Sequence, residues 1–158
     1  MVQILDGYAK SNDLNSYTTD IAVWRHCAGN YNFTDDTGAA AAYTIFTVTG
    51  DVMVQVFGLC QVALTSGGAA TCELGITGNT AALIAQTAFD DIDQYETWQD
   101  AGPEANPGNV ATAMGAYFVI ANGVDVIFTI GAAALTAGDI DFHAFWRPLS
   151  LDGNLVAA

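Results

Sequence analysis

Basic residues are almost missing from this chain. Lys10, Arg25 and Arg147 stand against 17 acidic residues in a length of 158, for a formal net charge of −14. Three cations cannot build the basic face that nucleic-acid phosphates require, and the same shortage excludes an anionic membrane surface. Charge of either sign is scarce: 13% of residues are charged, about half the share of a typical domain. The poverty in Lys, Arg and Glu, set against 16 glycines, disfavours helices. No unbroken apolar run is long enough to span a bilayer. The opening MVQILDGYAKSND lacks the charged-then-apolar pattern of a secretory signal, so folding in a reducing cytosol is expected. The 3 cysteines form no C-x-x-C pair. Cys60 and Cys72 are expected to stay reduced thiols in that compartment.

What the chain does have is β-branched and aromatic residues in alternation. The stretch from Val52 to Ile76 organises the rest. Its even positions are apolar (Val52, Val54, Val56, Gly58, Cys60, Val62, Leu64), so that face is buried. The parity continues after TSGGA with Ala70, Cys72, Leu74 and Ile76. Two arms of matching parity around a glycine-rich turn predict a β-hairpin, with Gln61 beside Glu73.

Tyr43–Thr49 reads as a strand, Ala81–Thr87 as a further strand and Tyr95–Gln99 as a short one. Asn122-Gly123 between Tyr117–Ala121 and Val124–Ile130 predicts a second hairpin, because both turn residues need positive φ. Thr136-Ala137-Gly138 reads as a turn before Asp139–Arg147. In that strand Ile140, Phe142, Ala144 and Trp146 face inward. Met1–Leu5 and Ile21–Trp24 are short candidate strands; Asp6–Asp20, Arg25–Ala42 and Asp100–Ala113 read as loops. About eight or nine short strands at regular spacing predict an all-β fold, a single antiparallel β-sandwich of jelly-roll type. Its expected parts are a loop-rich N-terminal arm over 1–42, a sandwich core over 43–147 and a C-terminal tail over 148–158.

Candidate chemistry is thin. Asp139, Asp141 and His143 lie in a row on one strand face and could do acid–base work or hold a metal, but a solvated acidic face explains them as well. Asp90, Asp91, Asp93 and Glu96 offer oxygens for calcium without the EF-hand pattern, and a solvated acidic loop is expected instead. His26-Cys27 imitates a nucleophile pair, but neighbours along a chain point apart. Nucleotide and hydrolase signatures are absent. The expectation is no catalytic residue, no cofactor and no metal. One oddity stands out. Met53, Phe57 and Leu59 occupy the outward face of the central strand, and Phe145 and Ile127 lie on other faces that read polar. Either the N-terminal third covers them or a second subunit does.

The phrases TGDVMVQVFGLCQVALTSGGAATCELGITGNTAALIA and VIANGVDVIFTIGAAALTAGDIDFHAFWRPLSLDGN resemble capsid decoration (cement) proteins of tailed bacteriophages. The resemblance runs from Tyr43 to Asn154. It implies a non-enzymatic virion protein, made in the host cytoplasm, that binds the major capsid protein on the outer lattice and stiffens it, often as a homotrimer. In that setting Met53, Phe57 and Leu59 are the expected subunit interface. Lys10 and Arg25, on the polar arm, are the expected capsid contacts. A head-fibre or tail-tip adsorption protein with a carbohydrate-binding jelly roll is the alternative; Tyr95 and Trp98 would be its aromatic platforms.

Overall fold

The structure, a computed structural model, describes residues 23–100, 102–103 and 115–158. Among the described residues ten strands form two antiparallel sheets. The first three are β1 (Arg25–Asn32), β2 (Ala42–Thr49) and the long β3 (Val52–Ser66). Next come β4 (Thr71–Ile76), β5 (Asn79–Ala88) and the two-residue β6 (Thr97–Trp98). The last four are β7 (Phe118–Ile120), β8 (Val126–Gly131), β9 (Leu135–Pro148) and β10 (Asn154–Ala157). A one-turn helix, α1 (Phe33–Asp36), is capped by the Asn32 side chain, which accepts from the Thr34 amide at 2.9 Å.

Sheet A runs β1-β9-β3-β6, with β7 also paired to β3, and sheet B runs β10-β2-β8-β4-β5. Setting β10 aside and counting β6 and β7 as one interrupted strand leaves the interleaved order 1-9-3-6 facing 2-8-4-5. That is the jelly roll, so the expected all-β antiparallel sandwich is the fold. The core lies between the sheets. Val52, Val54, Cys60, Ile140, Phe142, Ala144 and Trp146 enter it from sheet A, and Phe46, Cys72, Leu74, Phe128 and Ile130 from sheet B.

The parity read from Val52 to Ile76 holds except at Val62, which an irregularity after Cys60 leaves 45% exposed, and the hairpin is not formed. β3 pairs with β9, Val56 opposite Ala144, while β4 pairs with β8 and β5. The Gly67-Gly68 link crosses from one sheet to the other. Strands on facing sheets must aim the same parity into one core, so matching parity fits a crossing as well as a hairpin. The Asn122-Gly123 turn corrects in the same way. Both residues take positive φ, 61° and 63°, but β7 joins β3 in sheet A and β8 joins β2 and β4 in sheet B.

Further expectations change. Arg25–Ala42 is not all loop, because β1 pairs with β9 along its whole length and buries Tyr31 completely. Val23 and Trp24 precede β1 without joining a strand. The expected tail contributes β10, paired with β2. Thr136-Ala137-Gly138 belongs to β9, where Gly138 takes φ 144° beside Leu64. The turn comes earlier, with Ala132 at φ 61°. Met1–Leu5, Asp6–Asp20 and nearly all of Asp100–Ala113 lie outside the described residues.

Candidate functional site: the outer face of sheet A

The outward side of sheet A is ordered in cross-strand rows. Met53 sits opposite Arg147 on one side and Val119 on the other. The next rows are His26–Phe145–Gln55, then Ala28–His143–Phe57, then Asn30–Asp141–Leu59–Thr97. Residues paired this way share a face. The three residues expected at an interface, Met53, Phe57 and Leu59, thus come together on one surface, each half-buried. Sequence reasoning missed their companions Trp24, His26, Tyr117 and Val119, which lie in or beside stretches read as loop or hairpin.

The surface is largely aromatic. Phe57 lies 5.2 Å from His143 and 6.3 Å from Phe145, ring centre to ring centre, and His26 lies 5.1 Å from Phe145. Trp24 packs on Tyr117 at 5.1 Å. Tyr117 is 59% exposed, Val119 61%, Trp24 41% and Phe145 38%. Trp24, Gln55, Tyr117 and Phe145 line an open cleft of about 260 Å³. Its floor is fixed by Gln55, whose amide donates to the Gly115 carbonyl, while the Gly115 amide donates to Gln99 Oε1. Arg147 lies across the top of the face, its guanidinium 5.1 Å from the Trp24 ring.

Among the described residues, Asp139 and Asp141 lie at one end of this face. Asp141 accepts from Asn30 at 2.9 Å and from Gln61 at 2.8 Å, and Asp139 from Asn30 at 2.6 Å and Asn32 at 3.0 Å. Amide donors occupy both carboxylates, which suits a polar border rather than a proton-transfer site. At the centre His26 Nε2 and His143 Nδ1 are 3.1 Å apart. Burial pulls the His143 pKa below its ordinary value and His26 adds to this, with Asp141 opposing.

The other candidates are dispersed. His26 faces outward and Cys27 inward, as neighbours on a strand must. Cys60 and Cys72 are free buried thiols, pushed up to about 12 mainly by burial. Glu96 turns its carboxylate to the Asp93 amide at 2.9 Å. Among the described residues no three His, Cys, Asp or Glu side chains converge as a metal site. Trp98 is fully buried, its indole donating to Thr87 Oγ1 at 3.0 Å, so it is no exposed platform. Arg25 sits at the end of the inner face, 5.0 Å from the Trp146 ring. Lys10 lies outside the described residues.

Scans against family models and against curated proteins find no match. Among solved structures, the chain is similar to one in the acidic stable capsid structure of Helicobacter pylori bacteriophage KHP30. The TM-score is 0.54 at 9% identity, over 85% of this chain and 93% of that one. A chain of the cyanophage Pam1 capsid asymmetric unit aligns at TM-score 0.45 and 12% identity, over 78% and 84%. A chain of Bacillus endospore appendages, disulfide-linked pili, aligns at 0.34 and 16%, over 81% and 88%. At such identities the first likeness speaks to the fold, and the other two scores are too low to argue from.

Proposed function

We propose that this chain is a non-enzymatic structural protein of a tailed-phage virion that binds the outer capsid lattice and stabilises it, as a decoration or cement protein. It assembles with further copies of itself, as a homotrimer, through the outer face of sheet A. The observation that carries this is the composition of that face. On a chain of net charge −14, Met53, Phe57, Tyr117, Val119 and Phe145 form an aromatic and aliphatic surface on which the acids among the described residues, Asp139 and Asp141, stand at the border. Copies of so acidic a chain repel unless they meet where acids are few. Patches of this kind mark interaction sites. The fold likeness reported above supports a place in a capsid. The capsid contact is proposed to come from the segment before Val23, which carries Lys10, with Arg25 at its root.

Electron cryomicroscopy of particles from a host carrying this gene tests the assignment. The expected result is a jelly roll repeated at lattice positions on the exterior. Density confined to one vertex or to the tail would overturn it in favour of an adsorption protein.

A further inference from the structure

His26 and His143 meet across the β1–β9 pairing at the centre of the outer face. Their ring centres are 5.3 Å apart, their planes inclined by 19°, and their facing nitrogens separated by 3.1 Å. The difference between the two distances is close to two ring radii. The nitrogens therefore lie almost on the line between the rings and point at each other. Lone pairs arranged this way do not converge on a third point, as a bidentate metal site demands. They share one proton, an N–H of one ring donated to the bare nitrogen of the other.

We propose that this pair gates the outer face of sheet A as a self-interface: copies associate while the imidazoles are neutral and separate when the pair must take two protons. The proposal rests on the self-association through this face put forward above. A first proton has room on the far nitrogen of the donor ring and leaves the N–H···N bond in place. A second must enter the shared line. Two N–H groups then oppose each other, the bond is lost, and two like charges stand side by side among Phe57 and Phe145.

The surrounding charge offers little relief. On β1 the neighbouring Arg25 and Cys27 point to the other side of the sheet. On β9 the facing groups are Asp139, Asp141 and Arg147; amide donors already occupy the two carboxylates, and Arg147 is a cation. β3 brings Met53, Gln55, Phe57, Leu59 and Gln61 to this face, none titratable. Tyr117 stands beside the cleft, packed on Trp24. The downward pull on the His143 pKa agrees with this setting. The sign follows. A histidine whose folded value lies below its unfolded one binds fewer protons when folded. Its contribution is therefore complete above the ordinary value of 6.5 and is lost as pH falls from there through the folded value.

The occupant can be told from the direction of the effect. A second copy brings the same pair, so acid places cations on both sides of the contact. An acidic partner would instead bind more tightly as the face gains charge. The chain's own net charge shrinks toward its pI of about 4.1, which by itself favours association. Release by acid would run against that background.

Sedimentation velocity of the full chain at micromolar concentration, at about pH 7.5 and about pH 5, spans the histidine range. The expected result is an assembly at the higher pH whose dissociation constant rises about tenfold or more at the lower, one pKa unit of coupling. The double variant His26→Phe/His143→Phe should assemble equally at both. If it does not fold, His26→Gln at the exposed edge strand must shift the midpoint of the transition. Histidine ring-proton NMR should show the two rings titrating in separate steps. A monomer at the higher pH overturns the interface and the gate together. An assembly indifferent to pH, or a double variant that keeps the dependence, overturns the gate and leaves the interface standing.

Discussion

Replacing Thr87 by valine should cost far more than the exchange of one hydroxyl for a methyl suggests. Thr87 is 2% exposed, and its oxygen accepts from Trp98 Nε1 at 3.0 Å while lying 3.1 Å from the Ala85 carbonyl. The contact joins β6 of sheet A to β5 of sheet B and fixes an indole that packs 6.0 Å from Phe128 and 6.2 Å from Phe142. Valine fills the space but leaves a buried N–H with no partner, at a cost of ~1–3 kcal/mol. Trp98→Phe removes the donor and part of the ring, for somewhat less than the ~3–5 kcal/mol of full truncation. In that background Thr87→Val should cost little, because no orphaned donor remains. The coupling between the two sites should be ~1–2 kcal/mol. Urea unfolding of the four proteins at one concentration measures it, provided the m-values agree. A cost below about 0.5 kcal/mol for Thr87→Val alone, under the usual price of an unmade buried bond, would refute the reasoning, as would equal costs in both backgrounds.

Further outcomes follow from the same packing. Phe57→Asp should leave the fold intact, since the side chain is only half-buried in one chain, and yield a monomer by sedimentation; an undisturbed assembly would remove Phe57 from the interface. Deleting residues 1–22 should leave a cooperatively melting domain. Deleting residues 1–42 should abolish folding, because it removes β1 and the fully buried Tyr31; circular dichroism of both truncations separates the cases. Gly75→Ala should destabilise by ~1–3 kcal/mol, because a methyl there runs into the backbone of Asn79 and Thr80. At mildly alkaline pH a thiol reagent should label half-buried Cys27 and spare Cys60 and Cys72. Their pKa values near 12 leave almost no thiolate, and denaturant should expose all three.

The elements differ in the physical signal that each leaves in the sequence. The inward faces of β4, of β9 and of β3 as far as Cys60 follow from parity alone, since burial on one side imposes a period of two; the irregularity that exposes Val62 breaks that period. Partner choice leaves no such trace: Val56 looks the same whether Ala144 or a neighbour in the next strand lies beside it. β1 went unread because its inward set, Arg25, Cys27, Gly29 and Tyr31, contains a cation and a glycine. Gly29 is small for a reason, as a Cβ there would lie 2.7 Å from Ile45 Cγ2. Close packing of this kind erases the hydrophobic period it serves. The candidate site was legible in part: Met53, Phe57 and Leu59 stood out as apolar residues on a polar-facing side. Trp24, His26 and Tyr117 did not, because they gain meaning only beside strands distant in sequence.

The interleaved strand order also bears on how the chain reaches its native state. Among the described strands only β4 and β5 are both consecutive and paired. Every other pairing closes a long loop, the pattern associated with folding in milliseconds to seconds rather than microseconds. β9, which lies between β1 and β3, comes near the end of the chain. During synthesis β1 must wait for about a hundred further residues, on the order of 5–20 s at usual elongation rates. Over that interval the edges of β1 and β3 that β9 joins lack their partner, and unpaired edges are where chains stick to one another. At a net charge of −14, unfinished chains repel one another over that interval, which opposes such sticking until the last long strand is made.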